Sequence, residues 1–466
     1  MRSATAYRSA RDLIAEIRDG HASPSEVTAA VIADIEALDG KLNCFVHFDP
    51  EGAMAQARAL DDRLAKGEDP GPLCGLPVAI KDLIAMKGAP TTFGSKTMAG
   101  NVIDADAPSV ARIRAAGAVL LGKSTTSEFG CKGVGDSPLT GITRNPWNLN
   151  KTPGGSSAGA AALAAAGITP VAIGTDGGGS VRIPGSLCSL FAIKAHFGRV
   201  PVWPVSATAT LAHVGPLSRR VRDSALMLNV ISGFDFRDPF AVAGPVPDFL
   251  AACERKPQGL RVLYSETFGY ARPTAEVRRL ARQAVARLET AGCIVEERDR
   301  LFDDPVALWS SEFYAGVGTR LKGHLENNRG LLDPTVAGLL DRALDRPLAD
   351  YTAKVFERHA FRETVRAIFE DYDVIASPAL PVTSCDVGLD VPPGFEDRTA
   401  VDWVMYTYPF NLTGHPAVSV PAGFDTDGLP VGLQLAGRPL MEETLFTLAA
   451  ALEAMDPEPD RRPAMA

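Results

Sequence analysis

Leu76-Pro77-Val78-Ala79-Ile80 is a short, unbroken apolar run, and Ala118-Val119-Leu120-Leu121 repeats it after a helical stretch that follows Pro108 and ends at Gly117. A strand covered on both faces loses polar and apolar alternation, so apolar runs separated by helices predict an α/β chain. Outward toward the C-terminus, an Ala-rich helix is expected from about Ser157 to Ala166, then a strand over Pro170-Val171-Ala172-Ile173. Later runs are Val374-Ile375-Ala376, Ala417-Val418-Ser419-Val420 and Val431-Gly432-Leu433-Gln434-Leu435, with a closing helix after Met441. Toward the N-terminus, Leu13, Ile14 and Ile17 share one helical face, and Ala53, Met54, Ala57, Leu60 and Leu64 define another helix that runs to Gly67. Between them, Ser23-Pro24-Ser25-Glu26 reads as a helix start, with Ser23 as cap, Pro24 at the first position and Glu26 as the acid of a capping box. The Pro/Gly-rich stretches 236–248 and 377–394 read as surface loops. With no repeat or low-complexity linker dividing the chain, one large domain is expected.

The 466 residues, 46% hydrophobic and 22% charged, have the composition of a globular protein and exclude a disordered or collagen-like chain. Forty-three glycines and 35 prolines, scattered without a period, point to many tight turns. Against 56 acidic residues stand 47 basic ones, for a net charge of −9, and no Lys/Arg block forms a nucleic-acid footprint. Nucleic acid is therefore not an expected partner. Seven widely spaced cysteines (44, 74, 131, 188, 253, 293 and 385) without a CxxC pair suggest neither a disulfide framework nor a zinc site. Asp12, Glu16 and Asp19 fall where an export signal would need apolar residues, so a cytoplasmic location with reduced thiols is expected. The longest uncharged stretch, Gly154 to Thr175, is mostly Ala and Gly and is broken by Pro170, which makes it a poor membrane span.

The chemistry concentrates in Thr152-Pro153-Gly154-Gly155-Ser156-Ser157-Ala158-Gly159 and Gly174-Thr175-Asp176-Gly177-Gly178-Gly179-Ser180-Val181-Arg182. Gly154 and Gly159 have phosphate-loop spacing, but Ala160 stands where that loop needs its lysine. Gly155 to Gly159 also matches the GxSxG of a nucleophile elbow around Ser157, yet the preceding Asn148 to Pro153 is turn-forming where an elbow needs a strand. A third reading joins the two loops. Gly177-Gly178-Gly179 uncovers consecutive backbone N–H groups that can converge on one oxygen, and Ser180 would be the attacking hydroxyl. Serine needs a base, and no histidine lies in either loop. Lys81, at the end of a buried run, is the candidate, because desolvation favours the neutral amine; Ser156 can relay the proton from Ser180. Asp82 next to it could keep the lysine charged. On pattern alone, a snorkelling or salt-bridged lysine is the commoner outcome for such a position.

Pro77-Val78-Ala79-Ile80-Lys81-Asp82, Gly154 to Gly159, and Gly174 to Val181-Arg182-Ile183-Pro184, in this order and spacing, resemble the amidase signature family. The resemblance is strong from about residue 70 to Asp223 and continues through Ser377-Pro378 and Pro416 to Gly437. It implies an α/β fold, one large α/β/α domain with a mixed central sheet covered by helices. Within it lie N-terminal helices (8–67), a signature core (about 70–223), a variable pocket-building region (about 240–410) and C-terminal strands and a helix (411–455). It also implies a Ser-cisSer-Lys triad that hydrolyses carboxamides through an acyl-enzyme, without metal or cofactor. Ser180 matches the nucleophile, Ser156 the bridging serine reached through a cis peptide after Gly155, and Lys81 the base. The N–H groups of Gly177, Gly178, Gly179 and Ser180 match the oxyanion hole, while Asp176 and Arg182 match residues that hold the loop. Thr126-Ser127-Glu128-Phe129-Gly130-Cys131 falls at the acyl side, with Gly130 and Cys131 as expected contacts.

Three departures carry expectations of their own. Ala158 stands in place of a frequent glycine, a change that a helix start tolerates. Gly177 replaces a commonly larger residue and is expected to widen the pocket, and three successive glycines to loosen the loop. Phe197-Gly198-Arg199-Val200-Pro201-Val202-Trp203-Pro204 is unlike the corresponding stretch of the A-type component of tRNA-dependent amidotransferases, which favours a free-standing hydrolase. Trp203, Phe197, Tyr406 and Phe410 could form an apolar wall, although aromatics of this kind are more often core. His213 and His415 read as satisfied structural histidines. The expected substrate is a small aryl or aliphatic amide, with carbamates (urethanes) as a variant and a homodimer left open. The alternatives are a glutamine-hydrolysing A-type component of an amidotransferase complex and a non-catalytic protein on the same fold.

Overall fold

Pro77–Lys81 is buried along its whole length because it runs inside a sheet, parallel to Val119–Ser124 on one side and to Val171–Asp176 on the other. The computed structural model describes residues 3–464. Across the 11-stranded sheet the order is Phe45–Phe48, Val119–Ser124, Pro77–Lys81, Val171–Asp176, His213–Ser218, Phe191–Lys194, Ala417–Phe424, Pro430–Gly437, Val374–Pro378, Arg261–Tyr264 and Ile294–Glu297. Parallel pairs near both ends flank an antiparallel middle, so the sheet is mixed. Every apolar run read from the sequence is one of these strands, and helices cover the sheet. The helix start at Ser23 carries the full capping box, with Ser23 Oγ accepting from Glu26 N and Glu26 accepting from Ser23 N.

Alternation along Pro77–Lys81 decides what each side chain meets. Val78 and Ile80 join the core cluster that contains the Ala10–Arg18, Val221–Ile231 and Glu442–Ala454 helices. Ala79 joins another, with Ala162, Leu163 and Ala166 of the Ala-rich helix and its C-cap. Lys81, two residues on, shares the face of Ala79, and Asp82 turns to the other side. The Ala158–Ala165 helix begins just after Ser156 and Ser157, so the same alternation that buries Ala79 aims Lys81 at both serines.

Two parts of the chain depart from expectation. The stretch 377–394 is not a surface loop in its first half: Ser377 to Pro381 are buried, Cys385 O accepts from Thr152 N at 3.0 Å, and Ser384 Oγ donates to Thr152 O. Ser384 and Cys385 thereby brace the loop that carries Ser156. The long helices Val306–Asn327, Pro334–Leu344 and Leu348–Asp371 and the strands Phe191–Lys194, His213–Ser218 and Arg261–Tyr264 lie where no apolar run was read. Among the described residues, all seven cysteines are free and buried, no cluster of His, Cys, Asp or Glu suits a metal ion, and no helix is long and apolar enough to cross a membrane.

The Ala-rich helix sits so close to the sheet that a Cβ on Gly159 would fall 2.2 Å from Cys44 O and 2.6 Å from Thr125 N, both backbone atoms. Gly159→Ala is expected to destabilise the protein by about 3 kcal/mol in urea unfolding, the upper end of an overpacking cost. Gly100→Ala, at a position with no atom within 4 Å of the added Cβ, should leave the midpoint unchanged.

Candidate active site

Lys81 is fully buried, with its Nζ 2.8 Å from Ser156 Oγ, 2.9 Å from Ser157 Oγ and 2.9 Å from Thr175 Oγ1. Ser157 Oγ donates to Thr175 O at 3.2 Å, so toward Lys81 it acts as an acceptor. A neutral amine has two N–H donors and one lone pair. Ser157 and Thr175 can take the two donors, which leaves the lone pair for the Ser156 hydroxyl proton. Burial pushes the Lys81 ammonium well below its usual value of 10.5, opposed by the Asp176 carboxylate. Asp82 does not hold the lysine charged. Its carboxylate accepts from Thr92 N at 3.0 Å, Gly94 N at 3.2 Å and the Thr92 hydroxyl, and pairs with Lys123 Nζ at 3.4 Å. Lys81 is thus neither salt-bridged nor snorkelling. Ser157 is not an elbow nucleophile either, being fully buried and committed on every side.

The Gly155–Ser156 peptide is cis. Ser157 N donates to Ser180 O at 3.2 Å, which holds the two glycine-serine loops together. Ser180, 9% exposed, stands with Ser156 on the wall of a cavity of about 320 Å3, and its hydroxyl makes no hydrogen bond among the described residues. Asp176 and Arg182 face each other across the loop, both fully buried, with Arg182 Nε 3.0 Å from Oδ2 and Nη2 2.9 Å from Oδ1. Nη1 donates to Thr407 O at 2.9 Å and Gln434 Oε1 at 2.7 Å, and Nη2 also reaches Asn411 Oδ1 at 2.7 Å, so every guanidinium donor is used. Burial raises the Asp176 carboxyl, but the Arg182 guanidinium outweighs it and holds it far below the ordinary carboxylate range.

The glycine loop is pinned, not loose. Trp309 Nε1 donates to Gly177 O at 2.8 Å, Thr407 Oγ1 donates to Gly178 O at 2.6 Å, and Gly179 N donates to Asp176 Oδ1 at 2.8 Å. With that N–H turned to the carboxylate, Gly179 drops out of the expected oxyanion set. The N–H groups of Gly177, Gly178 and Ser180 have no acceptor among the described residues. The room expected from Gly177 is filled, since a Cβ there would lie 3.0 Å from Phe313 Cε2.

Gly130 lines the cavity, and a Cβ on it would come within 3.2 Å of Ser156 Oγ and 3.0 Å of Leu83 Cδ1. Cys131 does not line it. The chain turns at Phe129 (φ 50°) and Gly130 (φ 72°), which sends Cys131 into the core beside Ile183 and Trp309. There burial pushes its thiol far up, while Phe129 is on the cavity wall. Of the four aromatics considered, only Trp203 reaches the cavity, while Phe197, Tyr406 and Phe410 are packed elsewhere. His213 is on the wall and satisfied, Nδ1 lying 2.8 Å from Leu211 O and Nε2 3.4 Å from Lys194 Nζ. His415 stacks on Phe369 at 4.7 Å, and neither ring nitrogen has a hydrogen-bond partner among the described residues, contrary to expectation. Thr175, Trp309, Phe313 and Thr407 were not read from the sequence. Thr175 lies within the glycine motif but was given no role there; the other three lie in stretches without a motif.

The Amidase family model matches residues 26–446. The chain is 36% identical to an acylamidase of Rhodococcus erythropolis over 98% of its length and 97% of the relative's. It is 35% identical to the A-type component of the glutamyl-tRNA(Gln) amidotransferase of Moorella thermoacetica, covering 98% of each chain. A bacterial aryl acylamidase of the amidase signature family superimposes with a TM-score of 0.91 at 29% identity, covering 98% of this chain and 97% of the other. With a matching model over most of its length and relatives aligned end to end, the chain belongs to the amidase signature family.

Proposed function

We propose that the protein hydrolyses carboxamide C–N bonds through an acyl-enzyme on Ser180. The observation that carries this reading is the fully buried Lys81 Nζ at 2.8 Å from Ser156 Oγ, beside the pinned loop that presents Ser180 to the cavity. Ser180 Oγ attacks the amide carbonyl carbon, its proton passes to Ser156 Oγ, and the Ser156 proton passes to neutral Lys81. The carbonyl oxygen, now negative, accepts from the N–H groups of Gly177, Gly178 and Ser180, which need no reorganisation because the loop is already held. The C–N bond then breaks as Lys81 returns its proton through Ser156 to the leaving nitrogen. Water repeats the sequence on the acyl ester.

The lining around Ser180 is largely apolar, with Leu83, Phe93, Phe129 and Phe313, which suits aryl and aliphatic amides. Carbamates need the same proton relay and are the variant substrates. Their support is the size of the cavity as a whole, since Phe313 occupies the space beside Gly177. The second reading, a glutamine-hydrolysing component of a larger complex, is favoured by the relatives that belong to glutamyl-tRNA(Gln) amidotransferases.

Ser180→Ala should lower kcat by about 10^4-fold or more with unchanged thermal unfolding, Lys81→Ala comparably, and Ser156→Ala somewhat less. A fluorophosphonate should add its mass to the Ser180 peptide alone, and labelling of another serine would remove the assignment. A panel of benzamide, an anilide, a carbamate ester and glutamine sorts the substrates. Anilide turnover by the isolated chain supports the free amidase, absent carbamate turnover at high enzyme concentration removes that variant, and glutamine turnover only with added cell extract would favour the amidotransferase component. The pH profile has a definite sign. Neutral Lys81 is the active form and burial lowers its pKa, so kcat/KM rises with pH and reaches its plateau well below 10.5. A rate still climbing through 10.5 would mean a solvated lysine.

A further inference from the structure

The Val306–Asn327 helix meets the site at Phe313, which fills the space beside Gly177. Val317, Arg320, Leu321 and His324 line the same cavity, and their spacing puts them on one face of the helix with Phe313. At 1.5 Å per residue, Arg320 lies about 10 Å and His324 about 16 Å along the axis from Phe313. One wall of the cavity therefore starts with an aromatic ring at the Gly177–Ser180 loop, continues through aliphatic side chains, and ends in a guanidinium and an imidazole.

This far end lacks a countercharge. Arg320 is exposed, and its Nη2 donates to Val205 O at 3.3 Å; among the described residues it has no carboxylate partner. His324 Nδ1 lies 3.4 Å from the Asn328 amide nitrogen, which puts the ring proton on Nε2 and leaves it as a donor. Asp176 is the one carboxylate residue among those lining the cavity, and both its oxygens are taken by Arg182, Asn411 and Gly179 N. In a chain with a net charge of −9, a cavity that offers two unopposed nitrogen donors at one end selects for an anion there.

We propose that Arg320, with His324, binds a carboxylate at the far end of the substrate, so that the preferred substrates are amides whose apolar arm ends in a carboxylate. This rests on the amidohydrolase reading above. The planar guanidinium matches a carboxylate in bidentate fashion, and the aliphatic wall between sets the arm's length. A substrate of this kind would lie with its amide at Ser180, its methylenes along Val317 and Leu321, and its charge at the cavity end.

The test compares anilides of adipic, suberic and sebacic acid, each bearing one free carboxylate, with neutral anilides of equal chain length, and repeats the comparison with the carboxylate placed on the amine half. The expected result is a kcat/KM at least ten-fold higher for the carboxylate-ended member of one series, falling as salt is raised. In Arg320→Met the ratio should collapse toward one, and in Arg320→Glu the preference should pass to arms ending in an ammonium, an inversion that a merely structural arginine would not produce. A wild-type ratio near one in both series, or a preference that survives Arg320→Met, overturns the proposal. If neither member of any pair is hydrolysed, the catalytic reading fails on its own. Calorimetric binding of the same pairs to the intact protein then decides the anion site, with tighter binding of the carboxylate-ended member, lost in Arg320→Met, supporting it and equal binding refuting it.

Discussion

Asp176 and Arg182 place two full charges in the dry interior of the protein, and the geometry of the site follows from how they are neutralised. Removing such charges from water costs several kcal/mol each, recovered only when the pair is close and every remaining donor and acceptor is met. Here the five guanidinium donors go to Asp176, Thr407, Asn411 and Gln434, and the carboxylate also accepts from Gly179 N and Asn411. The pair therefore binds the end of one strand to the start of a short helix, and both to two segments more than 200 residues away in the chain. The four residues between Asp176 and Val181 have little freedom left. Glycines are needed because Trp309 and Thr407 approach the loop so closely that a Cβ on Gly178 or Gly179 would fall 2.6 or 2.3 Å from them.

Lys81 shows the complementary use of burial. The basic side chains Lys81, Lys123 and Arg182 are all fully buried, yet they meet different fates. Arg182 and Lys123 are given carboxylates, whereas Lys81 is given hydroxyls. A carboxylate would keep an amine charged, whereas with only hydroxyls in contact desolvation prevails and favours the neutral form that can accept a proton. Strand alternation makes the distinction possible, because it sends adjacent Lys81 and Asp82 to opposite faces of the sheet and so keeps the neighbouring Asp82 carboxylate away from the amine.

Much of this was legible in the chain. The apolar runs announced their strands because strands buried on both faces have nothing to alternate, and the capping residues at Ser23 announced a helix start because that interaction is local. Ser156 and Ser180 stood out through glycine-rich context, whereas Lys81, at the end of an apolar run, was set apart by the family resemblance and not by its pattern. What escaped was anything that depended on a distant partner. Cys131 has the sequence position of a pocket residue, but left-handed turns at Phe129 and Gly130 send it into the core. Gly177 looks like a gain in volume until Phe313 fills it, and Gly179 looks like an oxyanion donor until Asp176 accepts its hydrogen bond. The 377–394 stretch, rich in proline, reads as exposed, yet its first half is buried and braces the Ser156 loop through Ser384 and Cys385.

By itself, the sequence determined that this is an α/β chain, set two glycine-serine loops and a strand-end lysine apart as the expected seat of its chemistry, and placed no histidine in those loops. These features are encoded within a few residues of one another, where backbone sterics and side-chain alternation act directly. Only the tertiary structure decided which N–H groups remain free, how large the cavity is, and that one wall of it ends in Arg320 and His324. Those properties arise where residues 306–327 and 402–413 fold back onto residues 175–182, and contact across such distances is set by packing, which no local pattern records.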